Sequence, residues 1–354
     1  MRPEPPHLII QSPHASMAFG VGSLRELSGL LDALSITRAL IVTTPGRETA
    51  VDSVVLSAGS RVAGTAPIAC EHVPAAVITA ALAEMDRLGA DAVIAVGGGS
   101  AIGLAKAVAL ERAVPVAAVP TTYSGSEMTS IWGITDGAVK RTGRDPRVAP
   151  RVVIYDPVLT LSLPPRVSAA SGLNAIAHAV EALYAPNVSA EVVAGALEAI
   201  RRLAEALPTI VREPADVPAR TAAFEGAQAA GVSLERSTMG LHHKMCHVLG
   251  GTFGLPHALT HAVLLPHVVA FNAPAAPEAM SALAAALGSG VDAPGGLHAL
   301  NASLGLTESL VDLGLAASDI PRAADLVATA TYPNPRPVST ADVVQLLQLA
   351  SRHA

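Results

Sequence analysis

Lysine is nearly missing from this chain: of its 23 Lys and Arg residues only Lys106, Lys140 and Lys244 are lysines. Aromatic residues make up 3% of the sequence, too few to build the stacking platforms that hold single-stranded nucleic acid. The two cysteines, Cys70 and Cys246, form no C-x-x-C pair, which excludes a disulfide scaffold and a zinc ribbon and points to a reducing compartment. Positive charge is not in excess. The formal net charge of −6 offers no general attraction to nucleic acid or anionic lipid, so any basic site must be local. Apolar runs such as 92–96 and 262–265 are far shorter than the roughly 20 residues that span a bilayer, and no charged-then-apolar signal pattern opens the sequence. The expectation is a soluble, cytoplasmic protein with no nucleic-acid or membrane partner.

What is present is apolar bulk. With 354 residues, 51% hydrophobic and 15% charged, the chain can bury a large core and divides into two domains. Up to about residue 163, β-branched runs at 39–43, 92–96 and 116–119, with a weaker one at 62–68, alternate with helical patterns at 77–88 and 101–110. Strands without polar alternation, separated by helices, predict a parallel sheet covered on both faces. After Pro164-Pro165 the pattern is helical, at 168–184, 190–206, 220–234, 238–249, 258–269, 279–287, 296–304 and 340–351. The predicted fold is therefore an α/β domain with a parallel, Rossmann-like sheet over 1–163, followed by an all-α domain over 164–354.

Gly97-Gly98-Gly99-Ser100 follows the buried strand and opens the helix that carries Lys106. Consecutive glycines allow close backbone approach, and a helix N-terminus offers unpaired N–H groups to a phosphate. The spacing is neither G-x-G-x-x-G nor a Walker loop, so a plain tight turn stays open as a reading. Pro120-Thr121-Thr122-Tyr123-Ser124-Gly125-Ser126-Glu127 ends the next strand, on the edge where doubly wound sheets bind ligands. Two such loops side by side suggest a dinucleotide.

Six of the twelve histidines lie between His242 and His267. His243 and His247 share a helix face, His257 follows Pro256, and His261 comes one turn later. Asn174 and His178 repeat the i, i+4 spacing on an earlier helix. Imidazoles on facing helices can bind a divalent metal, or can exchange protons and hold a carboxylate. Cys246 stands one position off the His243–His247 face and reads as a buried structural thiol.

Over nearly its whole length the sequence resembles the iron-containing alcohol dehydrogenase-like superfamily. The segment 97–106 is similar to its glycine-rich loop and lysine, 120–127 to its second cofactor loop, and His243-x3-His247-x9-His257 to its histidine signature. Within it, Ala101-Ile102-Gly103 and the segments 123–132, 140–144, 171–183 and 242–246 resemble the reductases that convert maleylacetate to 3-oxoadipate in aromatic-ring degradation. The resemblance implies NADH or NADPH held by Thr43, Thr44, Gly97, Gly98, Gly99, Ser100, Lys106, Thr121, Thr122 and Ser126. Thr44 stands where many dehydrogenases carry an Asp that repels a 2′-phosphate, so both cofactors are expected.

The positions matching the family's Asp and three His metal ligands are Asn174, His178, His243 and His257. Losing the anionic ligand makes a metal doubtful, although three imidazoles can still hold zinc. The implied catalytic set is His178, His243, Lys244, His247 and His257, with Asn174, Arg144 and Tyr123 binding a small dicarboxylate substrate. The basic stretch 140–151, with Lys140, Arg141, Arg144, Arg147 and Arg151, is either a substrate anchor or a solvated hairpin loop. A homodimer is implied by the family. The competing readings are a metal-dependent alcohol or aldehyde dehydrogenase of the same superfamily and a non-catalytic nucleotide-binding module.

Overall fold

The structure is a computed structural model that describes residues 8–11, 15–137 and 139–352. It divides into two compact units, Met1–Leu163 and Pro164–Ala354. The first contains, in chain order, β1 (Leu8–Gln11), β2 (Ser16–Phe19), α1 (Leu27–Ala33), β3 (Ala39–Thr43), α2 (Glu48–Ala58), β4 (Val62–Ala66), α3 (Ala75–Leu88), β5 (Ala92–Gly97), α4 (Gly99–Arg112), β6 (Val116–Pro120), β7 (Ile131–Asp136), β8 (Val139–Arg144) and β9 (Val152–Tyr155). Seven strands form one sheet in the order β1-β2-β9-β6-β5-β3-β4, and β7 and β8 form a separate antiparallel hairpin. From β2 to β4 every pairing is parallel; only β1 runs against its neighbour. Every residue of β3, β5, β6 and β9 is buried, as expected of strands with helices on both faces.

The chain leaves β3 toward β4 on one side and leaves β5 toward β6 on the other, so the connections diverge between β3 and β5. That divergence is the switch point where open α/β sheets bind ligands. Gly64, which weakens the sequence signal for β4, has a packing reason: a Cβ there would lie 2.7 Å from Leu88 Cδ1 on α3. The strands β1, β2, β7, β8 and β9 were not read from the sequence, because runs of four to six residues carry too little periodicity.

The second unit contains α5 (Pro165–Leu183), α6 (Ala190–Arg212), α7 (Val217–Glu235), α8 (Leu241–Phe253), α9 (His257–Asn272), α10 (Pro277–Ala286), α11 (Ala293–Ser303), α12 (Ile320–Ala328) and α13 (Thr340–Ala350), with no strand among its described residues. The sequence reading missed α12, although Ile320, Ala323, Ala324 and Val327 bury one face at helical spacing. Ser168 to Leu183 on α5 are all buried, and the helix packs against α6, α7 and α9. The stretch His257–Ala275 is long and apolar enough to cross a membrane by composition, yet α9 packs on α5, α8, α11 and α13 inside this unit.

α6 and α7 pack closely at Gly226, where a Cβ would sit 2.7 Å from Leu203 Cγ and 3.2 Å from the Ala199 carbonyl oxygen. Gly226→Val is therefore expected to overpack this seam and cost about 1–3 kcal/mol, read as a lower urea midpoint with an unchanged slope.

Candidate active site

α5 carries Asn174, His178 and Glu181 at i, i+4 and i+7, one helix face, and all three are buried. Polar groups in a helix otherwise sealed in apolar packing must find partners. α8 supplies them for Glu181, and α8 and α9 bring further histidine rings to the cluster. Gly240 starts α8 and Pro256 starts α9, which places His242, His243 and His247 on the first helix and His257 and His261 on the second.

The rings form a continuous cluster. His178 stacks on His243 with centroids 5.0 Å apart, and His247 stacks on His257 at 6.3 Å. His261 lies among them, 4.9 Å from His242, 5.0 Å from His243 and 4.6 Å from His257. Burial is graded: His242 and His261 are fully enclosed, His178 and His243 nearly so, and His247, His257 and Lys244 are half-buried. His242 Nε2 and His261 Nδ1 share a 2.9 Å hydrogen bond, and Cys246 Sγ lies 3.7 Å from the same His242 nitrogen, a buried thiol as expected.

Glu181 is the anion of this cluster. Its carboxylate accepts from the Gly240 N–H at 2.7 Å, the His242 N–H at 2.8 Å and His243 Nδ1 at 2.6 Å. Burial alone would raise this carboxyl, but the charge and hydrogen bond of His243, with His242 and the Gly240 N–H, hold it below the ordinary carboxylate range. For the inner histidines burial dominates. It holds His178 and His261 well below the usual imidazole value, helped by neighbouring histidines, and brings His242 to about 3. Burial also lowers the Lys244 ammonium. Asn174 Oδ1, His178 Nδ1 and His243 Nε2 are buried without a hydrogen-bond partner, a set of polar atoms that a ligand would satisfy.

The sequence reading brought His178, His243, His247 and His257 together but missed Glu181 and left His242 and His261 without a role. One signal was available: Glu181 is the only carboxylate in α5 and falls on the Asn174–His178 face. The ligand atoms of His242, Cys246 and His261 lie within 4.8 Å of one another. These are not the residues that match the family's metal positions, and the two imidazoles already hydrogen-bond to each other.

In the first unit, Thr43 and Thr44 leave β3 and Gly97 leaves β5 at the switch point, with Thr43 paired to Val96. Gly97 has φ +146°, and a Cβ on Gly98 would meet Thr122 Oγ1 at 2.6 Å, so both positions require glycine. Gly98, Gly99 and Ser100 are accessible at the start of α4, and the hydroxyls of Thr121, Ser124 and Ser126 are buried without partners along the adjacent loop.

Two expectations are corrected here. Lys106 does not extend toward a phosphate: its ammonium, 1% exposed by residue, donates to Ser126 O at 2.6 Å, Thr129 Oγ1 at 2.9 Å and Ile131 O at 3.0 Å. Its three protons tie α4 to the loop after β6. Tyr123 is completely buried, with its hydroxyl donating to Thr160 Oγ1 at 3.2 Å, so its side chain belongs to the packing of the first unit. Arg144 lies exposed on β8 opposite Ile131, while Arg147 forms an ion pair with Asp145 at 2.6 Å.

Comparison with known proteins agrees with this architecture. The family model described as iron-containing alcohol dehydrogenase matches residues 14–157, and that of the family's C-terminal domain matches residues 168–351. A maleylacetate reductase of Burkholderia cepacia is 48% identical over 334 residues, covering 94% of this chain and 95% of its own. Another from Sphingobium indicum is 47% identical over 332 residues, with 94% of each covered. The crystal structure of maleylacetate reductase from Agrobacterium tumefaciens superposes with a TM-score of 0.88 at 41% identity, over 98% of both chains.

The buried imidazoles set an acid limit on stability. Because His242 titrates near 3 when folded and near 6.5 when unfolded, its contribution is complete above 6.5 and declines as pH falls toward 3. His178 and His261 act in the same direction. Stability is expected to drop from pH 6.5 downward by about 1.4 kcal/mol per pH unit for each neutral buried histidine. Urea midpoints at pH 7, 6 and 5 check this, and a flat profile would contradict it.

Proposed function

The chain belongs to the iron-containing alcohol dehydrogenase family, and within it we propose that it is a maleylacetate reductase, reducing the conjugated double bond of maleylacetate to 3-oxoadipate with NADH or NADPH. The observation that carries the reading is Asn174: at the family's anionic metal position stands a neutral amide, facing imidazoles whose one carboxylate, Glu181, is engaged with the start of α8.

That donor set does not fit the iron of the alcohol dehydrogenases. An amide and three imidazoles offer no negative charge to a hard divalent cation. The reaction is therefore read without a metal step. The cofactor, when bound, supplies a hydride to the carbon β to the ketone, and the electron pair of the double bond moves onto the ketone oxygen as an enolate. Lys244 and His257 are read as the donors to that oxygen, and one well-aimed donor in a water-poor site is worth about 3–4 kcal/mol. A proton delivered to the α carbon restores the ketone. His178 is held neutral by burial, which leaves the half-buried His247 as the better donor of the two. In this reading the side-chain amide of Asn174 binds a substrate carboxylate.

The first unit binds the dinucleotide through Thr43, Thr44, Gly97, Gly98, Gly99, Ser100, Thr121, Thr122 and Ser126. Thr44 carries no charge to repel a 2′-phosphate, in keeping with use of both cofactors. The same reading makes the protein a cytoplasmic homodimer with no nucleic-acid or membrane partner, in keeping with its net charge of −6.

Chelator-treated protein should oxidise NADH when given maleylacetate made enzymatically from hydroxyquinol, followed by loss of NADH absorbance. No turnover by folded protein, or activity that returns only with added iron or zinc, would favour a metal-dependent alcohol dehydrogenase. Gly98→Ala drives a methyl group into Thr122, and with the roughly 1–3 kcal/mol of an overpacked contact carried into cofactor binding the KM for NADH should rise about 5- to 150-fold.

A further inference from the structure

We propose that Glu181 is a positioning residue: by closing the N-terminus of α8 from the neighbouring helix, it fixes which nitrogen of His243 faces the substrate. The proposal rests on the reading of the histidine cluster as the site of reduction.

A helix begins with unpaired N–H groups, usually met by the side chain of the capping residue. α8 begins at Gly240, which has no side chain to do this. Glu181 reaches across from α5 instead, with Oε2 accepting from Gly240 N–H and Oε1 accepting from His242 N–H. The partial positive charge of the helix start favours a carboxylate there. Glycine at 240 lets this docking stay close: a Cβ would approach Glu181 Oε1 to 3.1 Å and the Pro333 carbonyl oxygen to 3.0 Å, which the neighbours would have to relieve by a few tenths of an ångström.

The same Oε2 lies 2.6 Å from His243 Nδ1. A carboxylate only accepts, so the His243 proton resides on Nδ1 and Nε2 is left as the working atom. That Nε2 is buried without a partner, on a ring that stacks against His178 at 5.0 Å. Two backbone bonds hold the carboxylate, so it aims the ring as rigidly as the helix start itself. An imidazole without this partner can place its proton on Nε2 and then presents the wrong atom.

The test is Glu181→Gln, with folding checked by circular dichroism and thermal melting. An amide accepts at one position and donates at the other, so either the His242 N–H bond is lost or both bonds at the Oε2 position, to Gly240 and His243, are lost. The expected result is a 10–100-fold fall in kcat for maleylacetate, the usual scale for residues that orient an active imidazole, with KM changed by less than about threefold. NADH affinity should be unchanged. Nitrogen-detected NMR of the His243 side chain should show the proton on Nδ1 in the native protein and a mixed or Nε2-protonated ring in the variant. Unchanged kcat together with unchanged His243 signals would overturn the proposal, as would an Nε2-protonated His243 in the native protein. Should Glu181→Gln fail to fold, Gly240→Ala keeps the carboxylate and displaces it by a few tenths of an ångström, and it must still shift the His243 signals. The NMR reading does not depend on the substrate. If the native protein fails to reduce maleylacetate, the functional reading falls while the role of Glu181 is decided on its own evidence.

Discussion

A helix shut away from water on every side, carrying an amide, an imidazole and a carboxylate on one face, is the constraint around which the helical unit is organised. Buried polar atoms cost several kcal/mol each when unpaired, so Asn174, His178 and Glu181 on α5 are tolerable only if neighbouring helices answer them. α8 does so for Glu181, with the His243 ring and the backbone at its own start, whereas Asn174 Oδ1 and His178 Nδ1 are left for a ligand to satisfy. The position of the imidazole cluster is thereby tied to the packing of the core.

The electrostatics of the cluster follow from its depth. Rings that are fully enclosed are held neutral, while those nearer the surface keep access to protons and ligands. Beneath the half-buried His247, His257 and Lys244 lie the neutral rings of His178, His242 and His261 and the carboxylate of Glu181. In a related enzyme with an aspartate at position 174, the same shell would surround a cation. Under the proposed function, asparagine there leaves the positive partner for a developing enolate to come from side chains.

The sheet unit solves a different problem, the close approach of backbone to a charged ligand. Gly97 and Gly98 can sit where they do because neither carries a Cβ, and the contact of Gly98 with Thr122 locks two neighbouring loops in register. Lys106 belongs to the same scaffold. An ammonium buried under three acceptors is a strut, and its placement shows how a cation inside a phosphate-loop motif can serve structure.

Much of this was legible in the residues alone. Unbroken β-branched runs identify β3, β5 and β6 because a strand buried on both faces needs no polar alternation, and long periodic segments identify the helices because burial of one face imposes a 3.6-residue repeat. The density of histidine after residue 241 and the glycines after β5 mark both candidate sites, since those residue types have few other reasons to cluster. What required the fold were the relations between distant segments. That Glu181 meets Gly240, that His261 lies among the other rings, and that Lys106 and Tyr123 face inward follow from helix packing and loop closure, which bring together atoms tens of residues apart. Spacing along a chain constrains the face of one helix; only tertiary packing decides what that face meets.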